Sequence, residues 1–188
     1  MNKFVALLGA ICFTLFLTLG CVVFIANFEP FYHMGGSPKE NTTLLTNVLN
    51  YLQGKNNLSE EFTPREKEHM QDVKGLLLMV TYAWVLFGLV AFLIMGNAEK
   101  AQLKGILKST GMVLVAIVIL ILVAGVFFSK SFELFHQIAF RPGTWTFPQN
   151  STLLTLFPLR YFKFALFTIG GFNLTLALIL WKISKKSK

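Results

Sequence analysis

Four long, predominantly apolar runs, Phe4 to Ala26, Val73 to Met95, Ile106 to Phe128 and Phe162 to Trp181, decide what this chain can become. Each approaches the roughly 20 residues that carry a helix across the hydrocarbon of a bilayer. Inside that layer no water meets a free amide or carbonyl, so a run of this length must close its hydrogen bonds within itself, as a helix. The expected fold is all-α and integral to the membrane, a four-transmembrane-helix bundle in one membrane domain over residues 1–188. Two structured extracytoplasmic loops, about 27–72 and 129–161, complete it. A soluble domain is excluded: 54% of the residues are hydrophobic and 14% charged, against roughly 45–50% and 25% in soluble domains.

The formal net charge of +8 would suit nucleic acid if it were gathered on one face. Its placement points elsewhere. With the N-terminus inside, the short inner segments hold Lys3, Lys100, Lys104, Lys108, Lys182, Lys185, Lys186 and Lys188 against the single acid Glu99. That asymmetry puts both termini in the cytoplasm and both long loops outside, and membrane topology accounts for the charge without a nucleic-acid partner. Cys12 and Cys21 both lie in the first run, so no disulfide framework links the loops. Thr18-Leu19-Gly20-Cys21 looks like a lipoprotein cleavage box, but such boxes usually begin with Leu, and here the apolar run continues to Ala26.

The first loop changes character along its length. Phe28 to Tyr32 is aromatic and suits the headgroup level; Gly35-Gly36-Ser37-Pro38 breaks the chain. Leu44, Leu45, Val48, Leu49 and Leu52 then recur at helical spacing, which predicts an amphipathic helix over Thr43 to Leu52. Thr63-Pro64-Arg65-Glu66 is a strong helix start, with a capping residue, Pro at the first position and Glu at the third. Nothing interrupts that helix before Gly96, so it is expected to enter the second span unbroken. In the second loop, Glu133 to Tyr161, three prolines and a Gly exclude a continuous span, yet aromatic residues, His136, Arg141 and Arg160 crowd into it. Its first part is expected to extend the third span, and Arg141 to Pro158 to fold over as a lid.

From the inner turn near Lys100, His69 lies about 31 residues back and His136 about 36 forward, so two continuous helices would bring them within about 7 Å in depth. Glu66, His69 and Asp72, the only aspartate, share a helix face. Such carboxylate and imidazole groups shift one another's pKa and can trade protons. The plain alternative is structural: Glu66 and Glu133 as helix-surface charges, the histidines as caps, and His33 beside Gly-Gly as a solvated turn residue. Arg141 and Arg160 could bind headgroups, or Arg141 an ester oxygen. Phe140, Trp145, Phe147 and Phe157 could form an interface belt or an acyl-chain groove. No phosphate loop, dinucleotide fingerprint or Gly-x-Ser-x-Gly elbow occurs, so no cofactor is expected. His69-x-x-Asp72 with a distant His136 is not a distinctive zinc pattern, and no metal is expected.

Glu68-His69-Met70-x-Asp72-Val73, with Phe135-His136-x-Ile138-x-Phe140, Trp145-x-Phe147-Pro148 and Leu153-Leu154-x-Leu156-Phe157-Pro158, resembles the lipoprotein intramolecular transacylases of Gram-positive bacteria. The chain departs from that family's pattern at Phe147 and Ser151, where acidic residues are common. The resemblance implies an enzyme without cofactors whose substrate is a diacylated bacterial lipoprotein. It would move the sn-2 acyl chain to the α-amine of the N-terminal cysteine and leave the lyso form. On that reading His69 and His136 share the acid and base roles, with either order open, and Asp72 orients His69. Arg141, or backbone donors of the Pro-Gly loop, steadies the oxyanion, and Phe140, Trp145 and Phe157 contact substrate and membrane lipids. The competing expectations are a non-enzymatic four-span scaffold that binds a partner through its loops, and a metal-dependent membrane hydrolase.

Overall fold

The structure is a computed structural model that describes residues 3–186; Lys188, counted above among the inner basic residues, lies outside the described residues. The described residues form helices and no strands. In chain order these are α1 (Lys3–Asn27), α2 (Glu29–Met34), α3 (Thr42–Leu52), α4 (Pro64–Gly96), α5 (Lys100–Val126), α6 (Phe128–Ala139), α7 (Thr152–Leu156) and α8 (Leu159–Lys186). Four of them, α1, α4, α5 and α8, are long and apolar enough to cross a membrane.

The strong start before α4 forms as expected. The Thr63 amide and hydroxyl both donate to Glu66 Oε2 at 2.8 Å, and the Glu66 amide donates to Thr63 Oγ1 at 3.3 Å. This reciprocal cap satisfies donors that a bare helix end leaves unpaired. The helix then runs 33 residues without a break. At 1.5 Å per residue that is about 50 Å, more than the roughly 30 Å of hydrocarbon. The polar turns of 64–72 therefore extend beyond the apolar segment 73–95, which alone has the character of a span.

The third span differs from expectation. It does not continue into the second loop: α5 stops at Val126, Phe127 takes φ −100° and ψ 37°, and α6 starts at Phe128. Gly125 weakens the helix just before the break, and Ser129-Lys130 marks the return of polar sequence. His136 thus rides on a separate helix of 12 residues.

The chain folds as two compact units. One comprises the chain up to Val22, Val80–Ala124 and the chain from Phe167 onward. Buried Leu114, Ala177 and Leu180 form its core with Phe13, Leu17, Leu107 and Leu176. A Cβ on Gly88 would come to 2.6 Å from the Phe16 ring, which itself stacks on Trp84 at 5.8 Å. Thr18 Oγ1 donates to Asn173 Oδ1 at 2.7 Å, the kind of interhelical polar contact that joins helices where lipid offers no hydrophobic drive.

The other unit comprises Val23–Met79 and Gly125–Leu166. The amphipathic α3 buries Leu45, Val48 and Leu49 here. The Gly-Gly break meets the second loop: Gly36 has φ +108°, its carbonyl accepts from Arg160 Nη2 at 2.6 Å, and any Cβ there would collide with that guanidinium. Ser37 Oγ donates to Leu156 O at 2.6 Å, and the Tyr32 and Tyr161 rings stack at 4.7 Å. Arg160 is thereby a loop-to-loop tie.

Candidate functional site

The first turns of α4 present Glu66, His69 and Asp72, and α6 presents His136, all in the second unit. The two imidazoles lie 6.1 Å apart between centroids and 24° from parallel, both buried, with His69 8% and His136 7% exposed. Aromatic rings enclose them. Phe140 reaches both, at 4.7 Å from His69 and 5.1 Å from His136; Phe147 meets His69 edge-on at 5.5 Å; Phe132 and Trp145 lie against His136 at 4.2 and 5.3 Å.

The two rings differ in their hydrogen bonds. His136 Nδ1 lies 2.7 Å from the Phe132 carbonyl. A carbonyl only accepts, so Nδ1 carries the proton and neutral His136 keeps its lone pair on Nε2. His69 Nδ1 is buried with no partner. An orphaned N–H is the costlier of the two things to bury, so the stable tautomer leaves a lone pair on Nδ1 and the proton on Nε2. One ring therefore offers an acceptor at Nε2 and the other a donor.

Burial, and after it the neighbouring His136, push His69 down to about 4, with Asp72 opposing both. Burial also lowers His136, against the raising effect of its bond to Phe132. For a group whose folded pKa lies below its unfolded value of about 6.5, nothing is lost above pH 6.5, where both states are neutral. Below it the unfolded chain binds the proton first, so stability falls as pH drops from about 6.5 towards 4. Thermal unfolding in detergent is expected to show this acid loss, and His69→Phe to flatten it.

Asp72, which the resemblance assigns to orient His69, is hydrogen-bonded to other residues. Its hydrogen bonds go to Arg141 and Thr144, not to His69: Arg141 Nη2 donates at 2.9 Å and Nε at 3.1 Å to Oδ1, and Thr144 Oγ1 at 3.3 Å to Oδ2. Arg141 Nη1 also lies 3.3 Å from Glu68. Glu66 corrects a second expectation. It is no surface charge but 2% exposed, accepting at Oε1 from Ser151 Oγ at 2.6 Å and the Leu153 amide at 3.0 Å. Burial alone would raise its carboxyl, but these bonds and those from Thr63 outweigh that and hold it below the ordinary range. Arg65 adds a third tie, donating to the Gly143 carbonyl at 2.6 and 2.9 Å and to Thr146 Oγ1 at 2.8 Å. The segment expected as a lid is thus clasped to α4 at three places.

Of the expected site residues, the structure gathers His69, His136, Phe140 and Trp145 into one cluster and sets Asp72 with Arg141 beside it. Phe157 packs instead on Tyr32 and Tyr161, at 5.8 and 6.3 Å. His33 is a turn residue, its Nδ1 3.1 Å from the Ser37 carbonyl. The sequence gives no role to Arg65 or Thr144 and marks Ser151 only as a departure from the family pattern; the capping position of Glu66 is the one hint of this contact, and its partners lie far along the chain. The described residues assemble no set of three His, Cys, Asp or Glu side chains placed to hold a metal ion.

Fold and site define a class: an all-α integral membrane protein with a buried, aromatic-walled histidine pair. Within that class, the family model "Lipoprotein intramolecular transacylase Lit" matches residues 7–162, and the chain belongs to that family. The expectation of an acyltransferase holds at the level of the family. The fold matches the membrane-integral lipoprotein intramolecular transacylase Lit of Bacillus cereus, with a TM-score of 0.86 at 16% identity over 97% of this chain and 94% of that one. A form of the same protein with one histidine replaced by alanine matches with a TM-score of 0.82 at 16% identity, over 98% of this chain and 92% of that one. An uncharacterized protein of Aquifex aeolicus is 28% identical over 107 residues, 53% of this chain, and the match covers 45% of that relative's length.

Proposed function

We propose that this chain moves the sn-2 acyl chain of a diacylglyceryl lipoprotein onto the α-amine of the same N-terminal cysteine, giving the lyso form. The observation that carries this reading is the complementary state of the two imidazoles, an acceptor on His136 and a donor on His69, with 6.1 Å between centroids. Family membership supplies the substrate class. Both reacting groups sit on one molecule, so the site's work is to bring amine and ester together and to manage one proton.

His136 Nε2 takes the proton as the amine attacks the ester carbonyl. The charge that forms on the ring is steadied by the Phe132 carbonyl at Nδ1 and by the faces of Phe140 and Trp145. His69 Nε2–H serves the sn-2 oxygen as the acyl carbon–oxygen bond breaks, and the proton on His136 makes good the loss. An amide forms, an ester breaks, and the balance needs no donor or cofactor. Phe140 and Trp145 wall the acyl chain. Asp72 is a positioning residue: it holds Arg141, which follows Phe140 directly and has the task of steadying the oxyanion. The excess of lysine over acid in the short inner segments supports an extracytoplasmic site with both termini of the chain in the cytoplasm.

The test is expression in a host whose lipoproteins are only diacylated, followed by tandem mass spectrometry of one N-terminal lipopeptide. The rearrangement conserves mass, so the expected change is in the fragments: an acyl group on nitrogen and a single one on the glyceryl. A lipopeptide that keeps its free amine would overturn the proposal.

A further inference from the structure

The first unit carries a feature that acyl transfer does not use. Between α5 and α8 an apolar groove of about 610 Å³ runs over a close contact of small residues. A Cβ on Gly111 would lie 3.6 Å from the Ala177 carbonyl, and the helices are antiparallel here, since Gly170 meets Ile121 further along. Met112 and Leu178 form walls and, like Trp181, leave more than half of their surface open.

The groove has a polarity. Lys108 precedes Gly111 on α5 and Trp181 follows Ala177 on α8, so antiparallel packing puts both at one end. Lys185 Nζ sits 3.8 Å above the Trp181 ring and adds a second cation there. No acid lines the groove, and the segments of this unit contain only Glu99 against their lysines. Tryptophan and lysine together are what the headgroup level of a bilayer favours. A slot with cations at its mouth and apolar walls beyond matches one chemistry, an anion joined to a hydrocarbon chain.

We propose that this groove is a binding site for an anionic phospholipid. Its phosphate lies between Lys108 and Lys185, and one acyl chain lies along Gly111 and Ala177. Each lysine near an anionic lipid favours it by about fivefold.

The experiment uses the full chain in mixed vesicles, where brominated phosphatidylglycerol or brominated phosphatidylcholine quenches tryptophan fluorescence. The part of the signal lost in Trp181→Phe is assigned to Trp181. That part is expected to prefer phosphatidylglycerol by about fivefold or more. The preference is expected to vanish in the double variant Lys108→Gln with Lys185→Gln, and to survive Lys108→Arg. Equal quenching by the two lipids in the unaltered chain, or a preference unchanged in the double variant, would overturn the proposal.

Discussion

His136→Ala is expected to leave the lipoprotein substrate diacylated with a free amine, with turnover lowered by about 10²–10⁴-fold, the contribution of a positioned general base. The change removes the lone pair assigned to take the proton, which has a fixed direction because the Phe132 carbonyl holds Nδ1–H and thereby aims Nε2. His69→Ala removes the complementary donor and is expected to act in the same direction, while His69→Gln, which restores an N–H, recovers part of the loss. His33→Ala provides the control, since His33 contacts the Ser37 carbonyl within its own turn. Fragment spectra of the lipopeptide decide the matter. Normal N-acylation by the His136→Ala chain, present at ordinary levels, would sink the acid–base assignment.

The second large effect is on stability. Glu66→Ala strands the Ser151 hydroxyl and the Leu153 amide in a site closed to water, and takes the acceptor from the Thr63 cap. Each stranded donor costs about 1–3 kcal/mol, so a total of about 2–6 kcal/mol is expected. For a chain of this size that is a fall in Tm of roughly 10 °C. Glu66→Gln is expected to fall between, because its amide must turn an N–H towards one of two sets of donors. Glu133→Ala, which loses only an exposed contact with Gln137, is expected to stay within about 0.5 kcal/mol. Scanning calorimetry or a thiol-dye melt in detergent measures all three; equal Tm for Glu66→Ala and the parent would show that the buried carboxylate does not hold the loop.

The fold was legible because lipid enforces it. Runs such as Val73 to Met95 have one viable structure in hydrocarbon, and Thr63-Pro64-Arg65-Glu66 supplied a local start that nothing later contradicted. The meeting of His69 and His136 was legible too, though for a partly wrong reason. Counting along two unbroken helices gave a similar depth, whereas the structure breaks the second helix at Phe127 and still seats His136 opposite His69. Asp72 and Glu66 show where sequence reading ends. Both were judged by their neighbours on α4, and both find partners some 70 to 90 positions away, Arg141 and Thr144 for one and Ser151 and Leu153 for the other. Long-range hydrogen bonds leave no periodic trace in a single chain. Ser151 departs from the family's acidic pattern, and its contact gives the physical sense of that departure: beside a buried Glu66, a second carboxylate would be repelled, while a hydroxyl donates.

On α4, Arg65, Glu66, His69 and Asp72 fall within an arc of about 120° at 100° per residue. One face of one helix therefore fastens the second loop three times and supplies an imidazole as well. What such a face cannot absorb is a change of phase. Substituting a residue alters one tooth of the gear, but inserting or deleting one between Pro64 and Asp72 turns the residues after it by about 100° against those before it, so the contacts can no longer all be made together. The count of residues in this stretch, more than the identity of any span residue, is the part of the text that has to be copied without error.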